Sequence, residues 1–318
     1  MCKLEYLFLG KSDLKVSRLG FGCCPLGGHD WGSVSEKEFR DAIVDALDMG
    51  INFFDTADIY GLGESERRLG HFLKRRREEV IISTKFGVRR DNNSETFYDS
   101  SPEWLAEALD ASLARLGVDH IDLYQVHYID GRTPVEDTIA ALEVKRAEGK
   151  IRYYGFSNIS LADVSGSVDA PGAVSFQEEY SLAKRDKEKE IEAIYLGKGF
   201  SFISWGSLGQ GVLTGKYSTD AAFGSDDRRS RPVYVNFHGE KLLKNISMIE
   251  NIKKRFIKKD KTLSQIAIRW ILDRFDNSVA LVGIKRPSQL FENAGALGWK
   301  LSSEEMAYLD SISSGEYQ

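Results

Sequence analysis

Four ionisable residues stand where short apolar runs end. Asp55 follows INFF, Tyr60 lies further along the same loop, Lys85 ends VIISTK, and His127 follows IDLYQV. A phenol with an ordinary pKa near ~10 is a weak acid at neutral pH. A neighbouring ammonium favours the phenolate and lowers that value, and a carboxylate beside the ammonium holds it charged and in place. An imidazole across the pocket orients a carbonyl or shares the proton. The set predicts Tyr60 as a general acid toward a carbonyl oxygen, with its pKa tuned closer to working pH. Protonating that oxygen as hydride reaches the carbon is carbonyl reduction, and the hydride must come from a cofactor because no side chain donates one. Singly, each residue has a plainer reading: Asp55 a helix cap, Tyr60 loop packing, Lys85 a surface charge, His127 a satisfied structural residue. The combination carries the chemistry.

For these residues to meet, the runs before them must lie side by side. Eight β-rich runs are present: Arg18–Gly22, Ile51–Phe54, Val80–Thr84, Ile121–Val126, Ile151–Phe156, Ala173–Gln177, Phe200–Trp205 and Ser278–Gly283. Nearly unbroken apolar runs suit strands buried on both faces of a parallel sheet. Amphipathic helical segments alternate with them. Ser35 with Glu38 forms a capping box and the helix stops at Gly50; Ser101-Pro102 opens a helix that ends at Gly117; Thr133 with Glu136 forms another box around Pro134; Thr262–Arg274 is a further helix. Eight βα units predict an α/β fold, a closed (β/α)8 TIM barrel, whose strand C-termini carry the chemistry. An open doubly wound sheet is the alternative. Tyr6–Leu9 and Leu14–Val16 around Gly10-Lys11-Ser12 predict a hairpin closing one end. The stretch from Gly206 to about Gly239 has no clear strand or helix, which marks a functional cover or disorder. With no linker, repeat or low-complexity tract, one domain over residues 1–318 is expected.

Composition narrows the classes. The 318 residues are 42% apolar and 29% charged, which excludes wholesale disorder. Lys and Arg number 43 against 48 Asp and Glu, and the net charge of −5 argues against a dedicated nucleic-acid or anionic-membrane surface. Cys2, Cys23 and Cys24 offer neither a disulfide framework nor metal-ligand spacing, so a reducing, cytoplasmic setting is expected. The N-terminal stretch lacks an apolar signal core, and no apolar run approaches the ~18 residues of a membrane helix. A metal-hydrolase reading of Asp55 and His127 finds no H-x-H pair to support it. Gly61-Leu62-Gly63 lacks the third glycine of a dinucleotide fingerprint, Glu66 standing there. Gly211–Lys216 is one residue short of a phosphate loop, with Tyr217 in place of Ser or Thr.

The chain resembles the aldo-keto reductase family over essentially its whole length. The motifs are GINFFDTADIYG (Gly50–Gly61), STKFG (Ser83–Gly87), LYQVHYID (Leu123–Asp130), GFSN (Gly155–Asn158), GSLGQGVLTGKY (Gly206–Tyr217) and GIKRPSQLFEN (Gly283–Asn293). The family fold is a (β/α)8 barrel with an N-terminal hairpin, and its members bind NADPH, less often NADH, without a Rossmann fingerprint. The resemblance implies a catalytic tetrad of Asp55, Tyr60, Lys85 and His127. It implies that Ser157, Asn158 and Gln177 hold the nicotinamide carboxamide, with the Trp205 ring against the nicotinamide face. The segment Gly206, Ser207, Leu208, Gly209, Gly211 and Leu213, with Lys216, resembles the loop over the pyrophosphate, whose backbone amides form an anion nest. Gly283, Lys285, Arg286, Gln289, Glu292 and Asn293 match the segment around the adenosine ribose. Arg286 could stack on adenine or pair with a 2′-phosphate, and Lys285 could contact the same phosphate; cations paired with a phosphate favour NADPH.

Trp205-Gly206-Ser207 replaces the commoner Tyr-Ser-Pro, and this form resembles the bacterial, soluble branch related to general stress and sugar reductases. Glu178 and Glu179 near the nicotinamide mouth could meet a polyhydroxylated or cationic substrate, or face solvent. Trp31 and Tyr128 are the expected substrate walls; Cys24, Pro25, His29, Asp30, Phe86 and Val88 are further pocket candidates. Ser225–Arg231 is expected as a mobile cover or a solvated loop. One aromatic side with polar rims suits a sugar or another small polar carbonyl. A monomer is the default from the family. The alternative from another class is a cofactor-sensing regulatory subunit.

Overall fold

The computed structural model describes residues 3–28, 31, 35–91, 93, 95–160, 163 and 170–314. Cys2, His29 and Asp30 lie outside the described residues. β1 (Tyr6–Phe8) and β2 (Lys15–Ser17) form the antiparallel hairpin. The barrel strands are β3 (Leu19–Gly22), β4 (Phe53–Asp55), β5 (Ile81–Phe86), β8 (Ile121–Val126), β9 (Ile151–Ser157), β10 (Ala173–Glu179), β11 (Ser201–Trp205) and β12 (Ser278–Gly283). All pair in parallel and in chain order, and β12 closes on β3. This is the predicted (β/α)8 barrel, and closure excludes the open doubly wound sheet. Between β5 and β8 a small antiparallel hairpin, β6 (Val88–Arg90) and β7 (Thr96–Tyr98), rises beside the barrel.

The register aligns the future site. Asp55 pairs with Ser83, Lys85 with Gln125, and Gln177 with Ser157. The lower barrel is filled by Phe53, Leu123, Val174, Ile203, Val279 and Leu281, and Leu9, Leu14 and Val16 from the hairpin seal that end. Gly20 makes room there: a Cβ would lie 2.5 Å from Leu281 and 2.9 Å from Phe53. A larger apolar layer packs the strands against the helices.

The helix starts divide. Ser35 and Ser101 accept from the amides of Glu38 and Trp104, and Thr262 with Gln265 forms a full capping box. The box expected at Thr133 and Glu136 does not form. The helix Val135–Ala147 starts after Pro134, because Asp130 takes the Thr133 hydroxyl at 2.8 Å. No helix among the described residues is long and apolar enough to cross a membrane.

Candidate active site

Every expected chemical residue sits at one end of the barrel. Asp55 ends β4, Lys85 lies near the end of β5, and His127 follows β8. Tyr60 projects from the loop after β4, its amide bonded to the Ala57 carbonyl at 3.1 Å. That loop lies against the one after β3, and a Cβ on Gly61 would meet the Gly27 oxygen at 2.2 Å. This close approach fixes where Tyr60 stands.

Lys85 is wholly buried. Its Nζ donates to Asp55 Oδ1 at 2.5 Å and to the Thr56 carbonyl at 3.0 Å. The other Asp55 oxygen accepts from Ser83 Oγ at 2.9 Å, Gln125 Nε2 at 3.2 Å and Gln177 Nε2 at 3.1 Å. Four strands therefore hold one carboxylate and its ammonium in a single orientation. Ser83, Thr56 and Gln125 were not singled out in the sequence. Polar residues inside strands carry no signal there until register puts them side by side.

Tyr60 and His127 meet edge to face with centroids 6.0 Å apart. Lys85 Nζ lies 5.5 Å from the Tyr60 ring centroid. Burial pushes the Tyr60 phenol well above its usual value; Cys24, Asp55 and Tyr128 push the same way and Arg228 opposes them. The direction is opposite to the acidified phenol expected beside an ammonium, because burial dominates. Burial, then Lys85, hold His127 well below the usual imidazole range, so the ring is neutral, and its Nδ1 is buried without a partner.

A cavity of about 480 Å³ opens from Tyr60 and His127. Asp55, Ser157, Asn158, Gln177, Trp205, Gly206, Ser207, Leu208, Gly211 and Lys216 line it, then Gly283, Lys285, Gln289, Glu292 and Asn293 at its far reach. Trp205 Nε1 donates to Asn158 Oδ1 at 3.0 Å, and Asn158 Nδ2 donates to the His127 carbonyl at 3.1 Å. The Ser207 hydroxyl is spent on the Leu281 carbonyl at 2.8 Å, which leaves its backbone to face the cavity. Gly209 and Leu213 are buried behind the wall. Arg286 is exposed beside the cavity at the start of the helix Pro287–Ala294. The Lys285 ammonium donates to the Trp31 carbonyl, and burial, then Arg229, lower its pKa.

The donor set suits a nicotinamide dinucleotide. Side-chain amides cluster at the tetrad end. A loop with positive φ at Gly206, Gly209 and Gly211 runs along the middle. Cations at a helix N-terminus stand at the far end, where a phosphate is favoured.

Trp31, Tyr128, Cys24 and Pro25 line the same cavity. Phe86 is not there: it is wholly buried and stacks on Tyr124. Val88 is buried in β6 and is likewise absent from the wall. Tyr234 and Ser264 line the cavity without having been expected, and Arg228 and Arg229 reach it from the Ser225–Arg231 stretch, one of whose two readings was a cover. The Ser225–Arg231 stretch is a tied strap. Asp227 forms a β-bridge with Trp31, the Arg228 guanidinium lies 5.0 Å from the Trp31 ring centroid, and Arg229 Nε bonds Asp227 at 2.8 Å. A basic, polar heptapeptide reads as solvated, and nothing local shows that Trp31 will meet it. Neither reading of Glu178 and Glu179 describes them. Glu178 is buried and pairs with Lys187 at 2.7 Å, and Glu179 accepts from Gln210 at 2.6 Å.

A closed parallel barrel with buried ionisable residues gathered at the strand C-termini defines an α/β-barrel enzyme. Residues 18–314 match the model of the Aldo/keto reductase family, and the chain belongs to that family. It is an oxidoreductase that depends on a nicotinamide cofactor and acts on small carbonyl compounds. It is 34% identical to the NADP(+) aldo-keto reductase yakc of Schizosaccharomyces pombe, with 90% of this chain and 85% of the relative covered. It is 32% identical to the NADH-specific methylglyoxal reductase of Escherichia coli, covering 93% and 94%. The solved glycerol dehydrogenase AKR11B4 of Gluconobacter oxydans superposes with a TM-score of 0.88 at 31% identity, covering 96% of this chain and 94% of that one.

Proposed function

We propose that this chain is an NADPH-dependent reductase of small polar carbonyl compounds in which Tyr60 protonates the carbonyl oxygen. The observation that carries the reading is the pair formed by Tyr60 and His127 at the cavity floor, 6.0 Å ring to ring, with the Lys85–Asp55 ion pair behind it. Burial keeps the phenol protonated, which suits a donor, and keeps the imidazole neutral, which suits a group that orients the same oxygen. A bound nicotinamide supplies the hydride.

The rest of the chain's work is holding and excluding water. Ser157, Asn158 and Gln177 hold the carboxamide, and Trp205 backs the ring. The backbone of Gly206, Ser207 and Leu208, with Lys216, takes the pyrophosphate; the amides of Gly209, Gly211 and Leu213, expected in the same nest, instead donate to the Gly206 and Leu208 carbonyls and shape the loop. Gly283, Gln289, Glu292 and Asn293 surround the adenosine ribose. Lys285 and Arg286 take the 2′-phosphate. Trp31 and Tyr128 flank the substrate, and the polar rim suits a sugar-like carbonyl. One relative is named for NADP(+) and another as NADH-specific, so the NADPH reading rests on Lys285 and Arg286.

The test is a titration of tryptophan fluorescence with NADPH and with NADH. Quenching with much tighter NADPH binding is the expected result. Equal or tighter NADH binding overturns the 2′-phosphate assignment, and binding of neither overturns the whole reading.

A further inference from the structure

In the loop after β11, three successive residues take positive φ: Gly209 at +55°, Gln210 at +54° and Gly211 at +106°. Glycine adopts this region readily, whereas a residue with a side chain is strained there. Gln210 is therefore a costly choice between two glycines unless its side chain is used. Both ends of its amide are used. Nε2 donates to Glu179 Oε1 at 2.6 Å, and Oε1 accepts from Asn236 Nδ2 at 2.8 Å. Asn236 is in turn held by Asn245, whose Nδ2 reaches its carbonyl at 3.1 Å. Gly206 packs on the link: a Cβ there would lie 3.0 Å from Gln210 Nε2 and 3.2 Å from Glu179 Cγ. Glu179 is the last residue of β10, the strand that also carries Gln177. Burial holds the Glu179 carboxyl above its usual value, with the bond from Gln210 pulling the other way.

We propose that Gln210 is a positioning residue that ties the loop cradling the cofactor to the end of β10, so that the pyrophosphate cradle and the nicotinamide clamp are held as one unit. This rests on the dinucleotide reading above. Gln210 acts through the loop backbone rather than on the reacting atoms. A strained backbone stays in place only when its surroundings over-determine it, and here two hydrogen bonds and the Gly206 contact do so.

The experiment is a swap. Gln210→Glu sets two carboxylates against each other. Adding Glu179→Gln restores the link with donor and acceptor exchanged, and Asn236 still finds an oxygen to donate to. Amide hydrogen exchange over residues 206–217 is followed without nucleotide, and NADPH affinity by fluorescence. Gln210→Glu is expected to speed loop exchange and weaken NADPH binding roughly tenfold, the scale of one hydrogen bond to a charged group. The double variant is expected to return both to within about threefold of the wild type. Should Gln210→Glu fail to fold, Gln210→Gly serves: it relieves the backbone strain yet is expected to loosen the loop, because both bonds are gone. Unchanged exchange and affinity in the folded single variants overturn the proposal, as does a double variant no better than Gln210→Glu. If the wild type binds neither nucleotide, the dinucleotide reading fails, while the exchange data still decide whether Gln210 holds the loop.

Discussion

The Lys85 ammonium stands 5.5 Å from the Tyr60 ring centroid and 2.5 Å from Asp55 Oδ1. Burial keeps the Tyr60 phenol protonated across the neutral range, and the neutral His127 does not change charge there. Carbonyl reduction needs the protonated phenol, and alcohol oxidation needs its conjugate base. The kcat/KM for reduction should stay flat between about pH 6 and about pH 9, while that for oxidation climbs with pH. Steady-state rates in both directions check this; an inflection near the ordinary imidazole value in reduction would contradict it.

Tyr60→Phe removes the hydroxyl proposed as the proton donor and leaves the ring. Turnover should fall by about 10²–10⁴-fold, with nucleotide affinity kept. Wild-type turnover in this variant would remove Tyr60 from the mechanism.

The Lys85–Asp55 pair is almost fully buried, at 0% and 5% side-chain exposure. Lys85→Met leaves Asp55 as a buried, uncompensated charge and should destabilise the fold by about 3–5 kcal/mol. Lys85→Met with Asp55→Leu removes both charges and should recover much of the loss without recovering activity. Urea unfolding of the two variants separates the outcomes. A double variant as unstable as the single would show that the pair's own attraction supports the barrel.

Arg286 is exposed, and Lys285 already holds the Trp31 carbonyl. Arg286→Ala should weaken NADPH binding several-fold and leave NADH binding unchanged, because only the former carries the extra phosphate. Lys285→Ala should weaken both, since it also releases Trp31 from the cavity wall. Isothermal titration with each nucleotide distinguishes the two residues. Equal losses for both nucleotides in Arg286→Ala would exclude a phosphate contact.

Asp58 sits behind the tetrad with Oδ1 buried and unpartnered. Burial, then Glu66, push its carboxyl up to about 8, against the pull of Arg115, the Ile59 amide and Lys85. A carboxyl raised on folding gives its full stabilisation below its unfolded value, 3.8, and loses it as pH rises through about 8. Asp58→Asn has the same shape and no proton to lose. The wild type should therefore lose stability relative to Asp58→Asn between about pH 4 and about pH 8, with a constant difference above that range. Urea midpoints across pH check it, and parallel curves would refute it.

Much of this arrangement was legible in the chain because apolar runs announce strands whether or not their partners are known. All eight barrel strands fell where nearly unbroken runs stood, and Asp55, Lys85 and His127, after three of those runs, marked the chemical end. Relations settled only by contact were not legible. Thr133 looked like a helix cap until Asp130 took its hydroxyl. Glu179 looked like a surface acid until Gln210 reached it across the loop. The β6–β7 hairpin is three residues a side and exposed on β7, so no periodicity could reveal it. Tyr128 was read as a wall, but the hairpin's Tyr98 stacked on it, 4.6 Å between centroids, was invisible in the sequence.

The pairing of Asp55 with Ser83, Lys85 with Gln125 and Gln177 with Ser157 also limits how such a chain can change length. Side chains alternate faces along a strand, so a single residue inserted in β5 before Lys85 would turn its ammonium out toward the helices. The same insertion between Gly206 and Gly239 would leave every strand in phase. Mutation by insertion and deletion is thus confined to the rim, where the partner molecule is chosen, and is barred from the staves, where the reaction is held. Rim loops other than the one that carries Tyr60 can change length while Asp55, Lys85 and His127 stay in place.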